Sequence, residues 1–225
     1  MCGRYAFFSP AEAMRRAFAV EHVPAFEACY NIAPTQPVPV VRELEPGMRS
    51  VSLLHWGLVP AWAKDRSIGN RMINARAETL DERPAYRRAF RTRRCLVAAD
   101  GWYEWQAVAG GKQPWFIRAR DGGPIGFAGL WESWRDPGSG NPFESCTIVT
   151  TDAPGSIAQI HRRMPAVLQP QAYAAWLSPS GEDPEALSAL LGPCDPALLE
   201  AWPVGREVND PGHQGPALVE PLPAQ

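Results

Sequence analysis

Lysine is almost missing from this 225-residue chain: Lys64 and Lys112 stand against twenty arginines. A side-chain amine for imine chemistry is therefore confined to two positions. The five cysteines (Cys2, Cys29, Cys95, Cys146, Cys194) are odd in number and widely spaced, with no CxxC pair, which argues against a disulfide framework and against a zinc site. None of the four histidines, His22, His55, His161 and His213, has metal-ligand spacing with another. No charged-then-apolar leader opens the chain and no run of about 18 apolar residues occurs, so neither a secretory signal nor a membrane helix is expected. A strand followed by a Gly-rich turn and a helix is also missing, which disfavours a parallel nucleotide-binding layout.

Hydrophobic residues make up 45% of the chain, enough for one globular domain. Ser9-Pro10-Ala11-Glu12 reads as a capping box opening a helix over 10–20. Val38–Val41 and Ser50–Trp56 read as a hairpin about Glu45-Pro46-Gly47, residues 57–82 as a long structured loop, and 83–90 as a short helix. Apolar runs at 95–106, 115–120 and 125–131, separated by Gly pairs, predict an antiparallel meander, with a further strand at 146–151, a helix or turn over 154–161 and short helices near 170–177 and 184–191. The expected class is α+β, with an antiparallel barrel-like core and peripheral helices.

The charge is uneven. Overall it is −2, yet residues 181–225 hold eight acids and one base, so the preceding body is near +5. Within that body Arg71, Arg76, Arg83, Arg87, Arg88, Arg91, Arg93 and Arg94 face few acids, a density suited either to phosphates or to a solvated helix face. The Pro- and Gly-rich stretch near the end predicts a domain over 1–195 and an acidic, partly disordered tail over 196–225.

Chemistry concentrates at four residues. Removal of Met1 would leave Cys2 with a free amine beside its thiol, groups that titrate near ~8 and ~8.5. Such a 1,2-aminothiol captures an aldehyde first as an imine and then as a five-membered thiazolidine; a Cys2 still capped by Met1 does neither. Glu104, in Trp102-Tyr103-Glu104-Trp105-Gln106, is either an exposed strand residue or a carboxyl desolvated by aromatics and poised for proton transfer. Asn74, in Met72-Ile73-Asn74-Ala75-Arg76, is either a turn or cap residue or an amide that orients a substrate oxygen. His161 precedes Arg162-Arg163, a pairing that suits proton transfer beside a phosphate if it is more than a surface histidine.

In combination these blocks resemble the SOS response-associated peptidase (SRAP) family. The carrying residues are Met1-Cys2-Gly3-Arg4-Tyr5, Tyr30 to Thr35, Trp56-Gly57-Leu58-Val59-Pro60-Ala61-Trp62-Ala63, Ile73-Asn74-Ala75-Arg76-Ala77-Glu78-Thr79, Gly101 to Trp105, Ala128 to Glu132, and His161-Arg162-Arg163-Met164-Pro165. They fall in order between residue 1 and about 180. The resemblance implies an abasic-site sensor of the DNA-damage response, in which Cys2 forms a covalent thiazolidine crosslink with the lesion in single-stranded DNA. It also implies a self-processing peptidase activity that removes Met1. By the same likeness Glu104 moves protons, Asn74 positions the sugar and His161 assists ring opening. Arg4, Arg76 and Arg163 lie near the DNA backbone, Trp62 stacks on a base, and Pro39 sits in a loop as a wedge. No metal and no cofactor are implied; single-stranded DNA is the partner, with no membrane, and the protein acts as a cytoplasmic monomer. Two other classes fit a cysteine after the initiator: an N-terminal-nucleophile amidase, and a non-covalent single-stranded-DNA binder using the arginines alone.

Overall fold

The computed structural model describes residues 2–179 and 183–223. Its strands in chain order are β1 (Tyr5–Phe7), β2 (Cys29–Ile32), β3 (Pro37–Glu45), β4 (Met48–Trp56), β5 (Asn74–Arg76), β6 (Arg94–Ala99), β7 (Gly101–Val108), β8 (Gly111–Ala119), β9 (Ile125–Arg135), β10 (Pro142–Asp152), β11 (Arg163–Pro165), β12 (Val167–Leu168) and β13 (Leu199–Pro203). The helices are α1 (Ala11–Phe18), α2 (Arg87–Thr92), α3 (Ile157–Ile160), α4 (Tyr173–Leu177) and α5 (Pro184–Ala189). Strands β4, β3, β6, β9 and β10 pair in that order, and β10 returns to β4, closing a barrel. A five-stranded sheet in the order β13-β8-β7-β1-β2 packs beside it. The α+β class with a mainly antiparallel barrel is therefore the observed one; the exceptions are the parallel pairings of β10 with β4 and with β5.

The core is aromatic. Tyr5 meets Trp56 edge-on at 5.3 Å and Phe127 at 5.9 Å, and Trp102 meets the same Phe127 at 5.8 Å. Alternation on β7 accounts for a division between two clusters, since side chains two apart share a face. Trp102 joins Cys2, Tyr5 and Phe127 in the larger cluster, while Tyr103 joins Ala6, Phe116, Val204, Val208 and Leu218 in a second.

The β3–β4 hairpin forms as expected, turning at Gly47, whose φ of 78° suits glycine. Four expectations are corrected. The run 95–106 is two strands in different sheets, broken at Asp100: β6 enters the barrel, whereas β7 pairs with β8 and β1. A side chain at Gly101 would sit 2.4 Å from the Phe116 ring, so the crossing from one sheet to the other needs glycine there. Strand β9 pairs with β6, β10 and β12, so the meander does not continue through Gly122. Secondly, α1 starts at Ala11 without a side-chain cap: Ser9 Oγ instead donates to Asp100 Oδ1 at 2.6 Å, and Glu12 binds Arg15. The buried Asp100 carboxylate outcompetes the helix end, because it collects the Phe8 and Ser9 amides as well.

Thirdly, Pro39 is not in a loop. It lies buried in β3 opposite Leu53, where the strand's neighbours fix it. Fourthly, the division at 195 and the partly disordered tail do not hold over the described residues. Strand β13 is the edge of the five-stranded sheet, pairing five residues with β8, and Val204, Val208 and Leu218 are buried. A low density of large apolar residues conceals this, because a few of them in the right places suffice when an open sheet edge supplies backbone partners.

Candidate active site at the chain start

Residues 57–76 bring Asn74 to the chain start. Gly57 and Gly69 cross so closely that a side-chain carbon on Gly57 would lie 2.6 Å from the Gly69 carbonyl oxygen. This contact folds the loop back on itself; the Trp56 indole then donates to Ile73 O at 2.9 Å, and Ile148 N donates to the same carbonyl. With Ile73 pinned, Asn74 enters β5 beside Ile148. Its Nδ2 donates to the Cys2 carbonyl at 2.7 Å, and Tyr86 Oη donates to the Asn74 carbonyl. The Asn74 Oδ1 is buried with no hydrogen-bond partner among the described residues, leaving an acceptor for a hydroxyl.

Cys2 is fully buried, as is Trp102 one strand away. Burial, with the negative charge of Glu104 second, pushes the Cys2 thiol well above the ordinary thiol range, while the Arg4 backbone N–H donates to its sulfur and opposes the shift. Glu104 is 3% exposed, and its desolvation raises its pKa to about 7. Of the two readings of Glu104, the desolvated carboxyl on the Trp102 face is therefore the observed one. His161 ends α3, with Nδ1 3.6 Å from Glu104 Oε2. Burial lowers the pKa of His161, so at pH 7 the pair is a carboxyl beside a mainly neutral imidazole rather than an ion pair. The same Nδ1 faces the Arg163 carbonyl at 2.8 Å and the Arg163 amide at 3.1 Å, which fixes the ring.

Cys2, Asn74, Glu104 and His161, of which the first and last are more than 150 residues apart in the chain, therefore meet at one place. A carboxyl poised near pH 7 can both donate and accept a proton at physiological pH.

The residues expected around them divide. Arg76 and Trp62 are exposed, Trp62 by 61%. Arg163 is already engaged: its Nη1 reaches Glu78 Oε1 at 2.5 Å and Asp152 Oδ1 at 2.8 Å, and its Nη2 donates to Thr150 O. Those bonds hold Glu78 below the usual carboxylate range. Arg4 Nη1 donates to Asn31 Oδ1 and Val208 O, both at 2.8 Å. Of the basic stretch, Arg94 is buried on the carbonyls of Phe90 and Trp176, Arg91 pairs with Asp81 and Arg93 with Glu132, while Arg71, Arg83, Arg87 and Arg88 are exposed. Asn31, Glu78 and Asp152 were not singled out from sequence, since no local pattern marks the partners they meet in the fold. A cavity of about 900 Å³ lies elsewhere, between Thr35, His55, Arg66 and Phe143.

The profile of the SOS response-associated peptidase (SRAP) family matches residues 1–211, past the boundary expected at 195. The chain is 39% identical to the abasic site processing protein YoqW of Bacillus subtilis, over 98% of this chain and 99% of the relative. It is 31% identical to the abasic site processing protein YedK of Escherichia coli, over 99% and 100% respectively. A crystal structure of a protein from Bacteroides thetaiotaomicron superposes with a TM-score of 0.86 at 25% identity, covering 98% of this chain and all of that one. A phage-related protein from Bordetella bronchiseptica gives 0.73 at 30% identity, covering 92% and 95%. With its cysteine start, its barrel and its near-complete alignment in agreement, this chain belongs to the SRAP family.

Proposed function

We propose that this protein processes abasic sites in single-stranded DNA by capturing them on Cys2 once Met1 has been removed. The ring-opened lesion carries an aldehyde. The Cys2 amine adds to that carbon and water leaves, giving an imine; the thiol then adds to the same carbon, its proton passing to nitrogen, and the thiazolidine closes with no net oxidation. Glu104 serves first as the acid that opens the sugar and expels water, then as the base that takes the thiol proton and passes it to the nitrogen. Asn74 holds the Cys2 carbonyl with Nδ2 and offers Oδ1 to the sugar hydroxyl. His161 sits against Glu104 and relays protons outward.

Arg76 and the exposed arginines of 83–88 supply phosphate contacts, and Trp62 a stacking surface, giving binding that weakens with salt and reads no base sequence. Met1 removal is the chain's own peptidase step. We place the protein, as a monomer, in the reducing cytoplasm, where its cysteines stay thiols. The observation that carries this reading is a carboxyl with a pKa of about 7 buried beside the one residue able to present a terminal aminothiol. The test is incubation of mass-verified, Met1-free protein with single-stranded DNA bearing one abasic site. A heat-stable adduct mapping to Cys2 is expected; its absence, or glutamine hydrolysis in its place, overturns the proposal.

A further inference from the structure

We infer that Arg4 is a positioning residue, acting through a clamp formed by Asn31 and residues 208–214, and is not a contact to the DNA backbone. Like the reading above, on which its kinetic part rests, this concerns the chain end that carries Cys2.

Four sets of bonds make the clamp. Arg4 Nη1 is shared between Asn31 Oδ1 and Val208 O at 2.8 Å each. Asn31, itself fully buried, turns its Nδ2 to three carbonyls of the C-terminal segment, Val208 at 3.3 Å, Asp210 at 2.9 Å and His213 at 3.1 Å. Gln214 answers from that segment, with Nε2 donating to Asn31 O at 3.2 Å and Oε1 accepting from Tyr30 N at 3.0 Å. The Trp105 indole donates to Asn209 Oδ1 at 2.8 Å, one residue beyond Glu104. Residues 208–214 thus bind three neighbouring strands, β2, β1 through Arg4, and β7, on the face opposite the one where Trp102 and Glu104 lie.

The connection to the reacting group is short. The Arg4 backbone N–H favours the Cys2 thiolate, and Arg4 O accepts from Tyr103 N at 3.0 Å, next to Glu104. Any change in the backbone at Arg4 moves the thiol and its distance from the carboxyl together. Nη1 of Arg4 is fixed by charge-assisted bonds to a carbonyl and an amide oxygen, and turning that nitrogen to a phosphate would release the chain end that must stay aligned. Arg4 is also partly buried, whereas Arg76 is exposed.

The test uses the full chain with Arg4→Met, Arg4→Lys, Asn31→Asp and Arg76→Ala. Single-turnover adduct formation at saturating abasic DNA is measured beside binding of intact single-stranded DNA over a salt series. For Arg4→Met and Asn31→Asp we expect the saturated rate to fall at least tenfold, with affinity and salt slope unchanged and partial recovery in Arg4→Lys. Arg76→Ala, at a residue assigned to phosphate contact, lowers the salt slope by about one. Amide exchange of residues 3–6 rises in Arg4→Met and Asn31→Asp, a readout that needs no DNA chemistry. It separates failure of the clamp from failure of adduct formation in the wild type. A salt slope lowered by about one in Arg4→Met with an unchanged saturated rate overturns the inference, as does unaltered exchange at 3–6; a variant that does not fold is replaced by Gln214→Ala, which removes two of the clamp bonds and carries the same expectations.

Discussion

The two faces of the β1–β7 strand pair solve opposite problems. On one, Cys2 and Glu104 are buried with their titrations displaced, and Asn74 Oδ1 beside them has no partner among the described residues. On the other, Arg4, Asn31, Tyr103 and Trp105 are tied to carbonyls and amides, Tyr103 Oη donating to Tyr30 O at 2.6 Å. The reactive face carries polar groups in an environment that disfavours their charge, and the satisfied face supplies the rigidity that keeps them there. Strain and support are separated by the thickness of one sheet, which strand alternation alone makes possible.

That contrast can be broken most completely at Cys2. Cys2→Ala is expected to abolish the heat-stable adduct while leaving salt-sensitive DNA binding intact, as read by denaturing gels beside equilibrium binding. Any stable adduct from this variant refutes the thiazolidine. The next largest effect is at Glu104, where Glu104→Gln should slow adduct formation by about 100-fold, within the range for a lost general acid-base. It should also remove the inflection near pH 7 from the rate profile.

The same substitution tests the cost of the reactive face. A carboxyl whose folded pKa is raised binds more protons folded than unfolded between the two values, so stability falls as pH rises from about 4.5 to about 7. Above pH 7 the accumulated loss is roughly 3 kcal/mol. Glu104→Gln should therefore be more stable than the wild type at pH 8 and lose that advantage near pH 4.5, as chemical denaturation at the two pH values will show. An equal difference at both would place the cost elsewhere.

The supporting face is tested through the C-terminal segment. Leu218 is 5% exposed against Tyr103 and Phe116, and Leu218→Ala should lower unfolding free energy by about 2–4 kcal/mol. An unchanged denaturation midpoint would mean that residues 196–223 contribute no support. The smallest effect belongs to the exposed Trp62: Trp62→Ala should leave the melting temperature unaltered and weaken single-stranded DNA binding by about 1 kcal/mol. Loss of stability instead would make Trp62 a packing residue.

Much of the fold was legible because local pattern and tertiary role agree in the β3–β4 hairpin, in β10 and in α4. The failures were those where a distant group won. Ser9 and Glu12 have the pattern of a capping box, but Asp100 takes the hydroxyl. Strand β5, three residues long, has no periodicity to detect and exists because β10 offers a parallel edge. Of the site, Cys2, Asn74, Glu104 and His161 were recognisable, whereas the states of the arginines were not. Arg76 and Arg163 look alike in sequence, yet one is exposed and the other is held by Glu78 and Asp152.

By itself the sequence determined which chemistry is available: a cysteine placed to become an aminothiol, few lysines to compete with its amine, and a carboxyl, Glu104, set among aromatic residues. Those are properties of residue type and position, independent of conformation. Only the tertiary structure decided which groups carry shifted pKa values and which arginines are already bound. It also decided that the acidic end of the chain belongs to the body. Desolvation and hydrogen bonding depend on what surrounds a group in space, and here the surroundings come from residues up to 204 positions away.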